Sequence, residues 1–138
     1  PALEDVVEAT IYLSGLGFEN GGLAAAHAVN DGFAQEPQAH GMYHGEKVAF
    51  GTLVQLVLEK APQEELEQVL AFLRDTGLPL TLAQLGVKEI VPETLKKVAE
   101  AAVVPTQSTK NLRADITAQE VYDAILEADR IGRDYLAR

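Results

Sequence analysis

Residues 48–59 read VAFGTLVQLVLE, and the conformation of this run decides the class of the whole chain. It is apolar nearly all round, as a central, buried element is. Its β-branched content would also suit a strand. No second strand-like run exists for it to pair with, and its length, running to Lys60, favours a helix entered at His44.

The flanking sequence agrees with a helical chain. Upstream, Gly32 to Gly41 carries Pro37 among alternating polar residues and is expected to be a surface loop. Glu19 to Gly32 is predicted helical through Ala24, Ala25 and Ala26, with Gly21 and Gly22 at its start permitting close approach of a neighbouring backbone or ligand. Ser14-Gly15-Leu16-Gly17 is expected to break an earlier helix, Ala2 to Leu13, whose Leu3, Val6, Val7, Thr10 and Ile11 oppose Glu4, Asp5 and Glu8.

Downstream, Pro62 opens a helix with Leu66, Val69, Leu70 and Leu73 inward, and Gly77 ends it. Thr81 caps a short turn over Leu82 to Leu85. Pro92 opens a further helix through Val103, with Leu95, Val98, Ala99 and Ala102 inward. Thr106 to Asp115 is polar and irregular. Thr117-Ala118-Gln119-Glu120 is a capping box that starts the last helix, where Val121, Ile125, Ala128 and Tyr135 share a face. The expected fold is all-α, a compact antiparallel array of five to six helices forming one domain over residues 1–138.

Bulk properties narrow the function. Eleven Lys and Arg against 21 Asp and Glu give a net charge of −10, which opposes nucleic-acid or anionic-membrane binding, since phosphate contacts need clustered cations. No cysteine is present, so disulfides and thiolate metal sites are excluded and a cytoplasmic location is expected. No apolar run approaches membrane-spanning length, and the N-terminus lacks a signal-peptide pattern. The chain begins at Pro1 rather than Met, as a piece of something longer would.

Candidate chemistry gathers between Gly15 and Gly51, where all three histidines lie. His27 and His44 sit on different predicted helices, 17 residues apart, and the intervening loop is long enough to bring both imidazoles to one point. Neutral imidazole is the commonest ligand for a borderline divalent ion such as zinc. The surroundings of His27 are small and apolar, leaving room for an ion and a substrate beside the ring. The structural alternative is a hydrogen-bonded core histidine, and two ligands fall short of the three used by catalytic zinc sites. Asp31, Glu46 and Glu19 are near enough in sequence to complete a site, although each also reads as a solvated carboxylate. His40 is expected at the surface. Phe18 is either a wall for a small substrate or a packing residue at a helix entrance. Gly15-Leu16-Gly17 follows a helical stretch rather than a strand, so it is no nucleotide-binding fingerprint.

SGLGFENGGLAAAHAVNDG and YHGEKVAFGTLVQLVLE resemble the C-terminal helical domain of the glycerol dehydrogenases, within the iron-containing (group III) alcohol dehydrogenases of the dehydroquinate synthase-like fold. The resemblance is specific over Ser14 to Glu59 and extends more loosely through LPLTLAQLG and ITAQEVYDAI. It implies NAD-linked oxidation of glycerol, or a similar small polyol, to a ketone, assisted by Zn2+ or another divalent metal. The histidines of GGLAAAHA and HGEKVAFG, metal ligands in the family, fall on His27 and His44, and the phenylalanine of GLGFE, a substrate contact, falls on Phe18. No catalytic residue beyond the metal ligands is implied, and no NAD contact is assigned.

The departures are as informative. Family members are more than twice as long and carry an N-terminal NAD-binding domain that these residues lack. The resemblance places a third metal ligand, an aspartate, before Pro1, and puts Asn30 where many relatives have a further histidine. The expected entity is therefore a metal- and polyol-binding part, inactive alone, and either a homo-oligomer or a partner of a separate NAD-binding domain. The alternative is a non-catalytic helical remnant that serves association.

Overall fold

The computed structural model describes residues 1–138, apart from the side chain of Phe18. Six α-helices follow in order: α1 (Ala2–Asn20), α2 (Ala25–Gly32), α3 (His44–Glu59), α4 (Gln63–Asp75), α5 (Pro92–Ala102) and α6 (Ala118–Leu136). Three short 3-10 turns, at Phe33–Gln35, Pro37–Ala39 and Ser108–Asn111, fill the connections, and no strand occurs among the described residues. The all-α expectation is borne out. No helix among the described residues is long and apolar enough to cross a membrane.

α3 is the hub. Phe50, Leu53 and Val54 are buried on it, and it packs against α2, α4 and α6. α2 lies between α3 and α5, and α5 in turn packs on α6. The second crossing is tight: a Cβ on Gly32 would collide with the carbonyl of Val98, so α2 and α5 meet backbone to backbone. Phe33, just past α2, meets Phe50 edge-on with ring centroids 6.1 Å apart, the arrangement that opposed ring quadrupoles favour.

Local signals set most helix ends. α4 follows Pro62 and ends at Asp75, two residues before Gly77, whose φ of 74° no β-carbon-bearing residue adopts easily. Pro92 is the first residue of α5. The capping box is present: Thr117 Oγ1 accepts the Glu120 N–H at 3.2 Å, and Glu120 Oε2 accepts the Thr117 N–H at 2.9 Å. Thr81 Oγ1 likewise accepts the Gln84 N–H and caps its turn. Asp129, buried on α6, fixes that turn to the helix by accepting the Leu82 N–H at 2.8 Å.

Two expectations need correction. The first helix is not broken at Ser14–Gly17 but runs through Gly15 to Asn20. A helical glycine costs about 1 kcal/mol relative to alanine, which weakens a helix without ending it. The stop comes a turn later, where Gly21 and Gly22 both donate to the Gly17 carbonyl and Gly22 turns to a φ of 69°. The second helix therefore starts at Ala25 rather than Glu19. Gly32 to Gly41, in turn, is not a plain surface loop. Phe33, Glu36 and Ala39 are buried within it, and the Glu36 carboxylate is satisfied by the backbone and side-chain N–H groups of Gln38.

α1 stands apart from this arrangement. Its residues are exposed, those of the Phe18 side chain lying outside the description, and α2 to α6 form the compact array without it.

Candidate metal centre

The structure brings His27 and His44 together. Their ring centroids are 5.5 Å apart, with the ring planes inclined at 48°. His27 is the third residue of α2 and His44 the first of α3, so two helix beginnings supply the pair. His27 is half-buried and His44 exposed, which leaves the pair open on one side.

This spacing can be compared with that of a shared ion. With Zn–N bonds of about 2.0–2.1 Å and a ring nitrogen about 1.1 Å from the ring centre, two imidazoles on one tetrahedral ion have centroids roughly 5.2 Å apart. The donor type and the spacing fit a divalent cation. The number of donors is short: among the described residues, no group of three or more His, Asp or Glu side chains is gathered to hold an ion.

The proximity has a cause in packing. A Cβ on Gly51 would collide with the carbonyl of Ala26, the residue before His27, so α2 and α3 touch through their backbones at that point. Gly51 lies seven residues after His44, two turns along the same face of α3. One turn further, Gln55 accepts the otherwise unpaired Ala26 N–H of the first turn of α2 at 3.1 Å. The approach to α2 is held from the other side. Ser108 donates to the Ala24 carbonyl at 2.8 Å, and Asn111 to that of Leu23 at 2.7 Å.

Burial, and then the neighbouring His44, push the His27 pKa below the ordinary histidine value, while Asp31 pulls more weakly the other way. A neutral ring with a free nitrogen lone pair is the form that binds a metal ion.

The other candidates separate clearly. Glu46 is occupied: its Oε2 accepts the Tyr43 N–H at 2.7 Å and closes the first turn of α3. Asp31 is exposed and takes hydrogen bonds from Asn30 at 3.1 Å and Gln107 at 3.2 Å. Glu19 is exposed on α1. Asn30 is buried beside Asp31 rather than free to serve as a ligand. His40 is exposed, as expected, with its Nε2 3.0 Å from the Ala34 carbonyl. The Phe18 side chain lies outside the described residues. Sequence reading missed Gly51 and Gln55. The signal was there, since a glycine and a glutamine interrupt an otherwise apolar helix, and an isolated helical glycine often marks a close packing approach.

No family model matches the chain. Its similarity to individual proteins is nevertheless extensive. A glycerol dehydrogenase of Escherichia coli O6:H1 is 57% identical over 136 residues, covering 99% of this chain and 37% of the relative. A glycerol dehydrogenase of Thermotoga maritima is 46% identical, covering 96% of this chain and 36% of its own length. A Halobacterium salinarum protein named glycolaldehyde reductase is 43% identical over a similar share. Among solved structures, a probable glycerol dehydrogenase from Sinorhizobium meliloti 1021 superposes with a TM-score of 0.91 at 46% identity, over 97% of this chain and 38% of that one. Glycerol dehydrogenase from Schizosaccharomyces pombe gives 0.91 at 42% identity, over 97% and 34%. The chain thus spans little more than a third of the curated relatives that it matches.

Proposed function

We propose that this chain, similar along almost its whole length to the C-terminal helical domain of glycerol dehydrogenases, forms the metal- and polyol-binding part of an NAD-dependent glycerol dehydrogenase. The observation that carries the reading is the pair of imidazoles at 5.5 Å, contributed by two helices whose backbones touch at Ala26, the residue before His27. His27 and His44 would hold the divalent ion, zinc in the first instance. When bound, such an ion polarises an alcohol oxygen and lowers its pKa, which eases hydride loss from the adjacent carbon to NAD.

The chain's own residues have three tasks in this scheme. Gly51 and Gln55 hold the start of α2 against α3, which keeps the two ring centroids 5.5 Å apart. The half-buried setting of His27 keeps its nitrogen unprotonated near neutral pH. Phe18 would stand beside the bound glycerol as an apolar wall. A third donor and the nicotinamide site come from polypeptide beyond these residues, so the chain alone binds zinc weakly and oxidises no glycerol.

A second reading, a helical module that serves association without catalysis, is favoured by the exposed apolar surface of α1. Metal content at equilibrium dialysis against dilute zinc separates the two. The chain should retain zinc that the double variant His27→Ala, His44→Ala loses. Equal metal in the two proteins overturns the metal-binding reading, and measurable NADH from the isolated chain with glycerol overturns its inactivity.

A further inference from the structure

The polar connector between α5 and α6 has no part in the scheme above, yet its side chains are directed at the segment that carries His27. Ser108 donates its hydroxyl to the Ala24 carbonyl at 2.8 Å, and Asn111 its amide to the Leu23 carbonyl at 2.7 Å. Gln107 donates to Asp31 Oδ2 at 3.2 Å. The first two bonds fall at the beginning of α2 and the third beside its end, so one turn spans the whole helix. The turn is itself fixed. Buried Thr109 donates to the Ala102 carbonyl at the end of α5, and Lys110 donates to the Pro105 carbonyl at 2.7 Å.

α2 depends on such an outside frame. It has eight residues, and an isolated helix shorter than about 12–15 residues is marginal in water. Its N-cap is Ala24, which offers no side-chain acceptor to the free N–H groups of the first turn. The Ala24 carbonyl opens the helix with a long bond, 3.3 Å from the Ala28 nitrogen, and takes the Ser108 hydroxyl as well. His27 sits in that first turn, so any tilt of the turn moves its ring. On the α3 side the hold consists of the backbone contact at Gly51 and one hydrogen bond from Ala26 to Gln55. Those two points leave the turn free to pivot about them. Bonds to two successive carbonyls from the opposite side remove that freedom.

We infer that Ser108 and Asn111 are positioning residues for the metal centre, holding the first turn of α2 so that the His27 imidazole stays beside that of His44. Their partners lie 84 and 88 residues away in sequence. The inference rests on the reading under Proposed function for its metal, and deepens that reading by bringing the connector between α5 and α6 into the site.

The test combines Ser108→Ala with Asn111→Ala in the 138-residue chain and reads the result in two ways. Without metal, a nuclear Overhauser effect between the rings of His27 and His44 is expected in the parent chain and should vanish in the variant. That between Phe33 and Phe50, at the other end of α2, should persist. With zinc, the variant should bind about tenfold more weakly in competition with a chromophoric chelator, the scale on which outer contacts of metal ligands act. Ser108→Thr keeps the hydroxyl and should match the parent in both readouts. Thr117→Ala weakens the fold far from the site and should alter neither. An unchanged ring contact in the double variant, or no such contact in the parent, overturns the inference. So does loss of the Phe33–Phe50 contact along with it, since the turn then supports the fold at large. Should the double variant unfold, Ser108→Ala alone is compared with Ser108→Thr, and equal ring contacts overturn the inference. Equal zinc in the parent and in His27→Ala, His44→Ala sinks the metal reading, while the ring contact still decides the positioning. Zinc bound by the parent and held as tightly by the double variant sinks the positioning and spares the metal reading.

Discussion

α1 and α3 are alike in sequence and opposite in circumstance. Both are long helices with apolar residues around most of their circumference, and both contain internal glycine. α3 is enclosed by α2, α4 and α6, and its Phe50 and Val54 are fully buried. Among the described residues α1 has no such enclosure, and its Leu3, Ile11 and Leu13 are exposed. The difference teaches that all-round apolarity states a requirement for surroundings without saying who supplies them. α3 meets that requirement from within 138 residues, and α1 does not. The glycines differ in the same way. A Cβ on Gly51 of α3 would strike Ala26, whereas a Cβ on Gly15 or Gly17 of α1 meets nothing.

The largest expected contrast is in stability. Phe50→Ala should cost about 3–5 kcal/mol in urea unfolding, through lost burial and the cavity left behind. Ile11→Ala, on the exposed helix, should change it by less than about 0.5 kcal/mol. Similar losses at the two sites would break the comparison. Gly51→Ala comes next, at about 1–3 kcal/mol, because the added methyl forces α2 and α3 apart. The same substitution should weaken zinc binding, read by competition with a chromophoric chelator. Gly15→Ala should be neutral or stabilising, since alanine favours the helix and fills open space. Stability lost there would show that α1 is held by something in this chain.

A smaller effect is expected from Thr117→Ala. It removes the cap of α6 and should cost about 1 kcal/mol, again by urea unfolding. The least effect is the pH dependence of His27. Its folded pKa lies below the ordinary value of 6.5, so the unfolded chain takes up the proton first as pH falls. The stability that this neutral ring contributes is fully present above pH 6.5 and is lost as pH drops through the folded value. Unfolding followed from pH 7.5 down to 5 should show a decline that His27→Gln flattens. A decline of unchanged slope in the variant would assign it to other groups.

Much of the helical array is legible in the sequence because its signals are short-range. Pro62, Pro92 and the Thr117–Glu120 box each act on the turn that contains them. The misreading at Gly15 and Gly17 is also local. Two glycines lower helix propensity by an amount that the rest of a 19-residue helix tolerates, while Gly21 and Gly22 together stop it. The fate of Glu46 was less accessible, since a carboxylate near His44 in sequence serves equally as a ligand or as a cap. Only the position of its oxygen, 2.7 Å from the Tyr43 nitrogen, separates the two roles.

By itself the sequence determined the helical class, most of the helix boundaries and the choice of His27 and His44, because each depends on residue type and on neighbours within a turn or two. The meeting of those two rings was decided by tertiary structure. It depends on Gly51 admitting the backbone of Ala26 and on Gln55 reaching across 29 residues to the same strand of backbone, and pairings at that separation leave no local period to read. The exposure of α1 was decided there as well, since burial is a property of what surrounds a helix and its own residues record only the need.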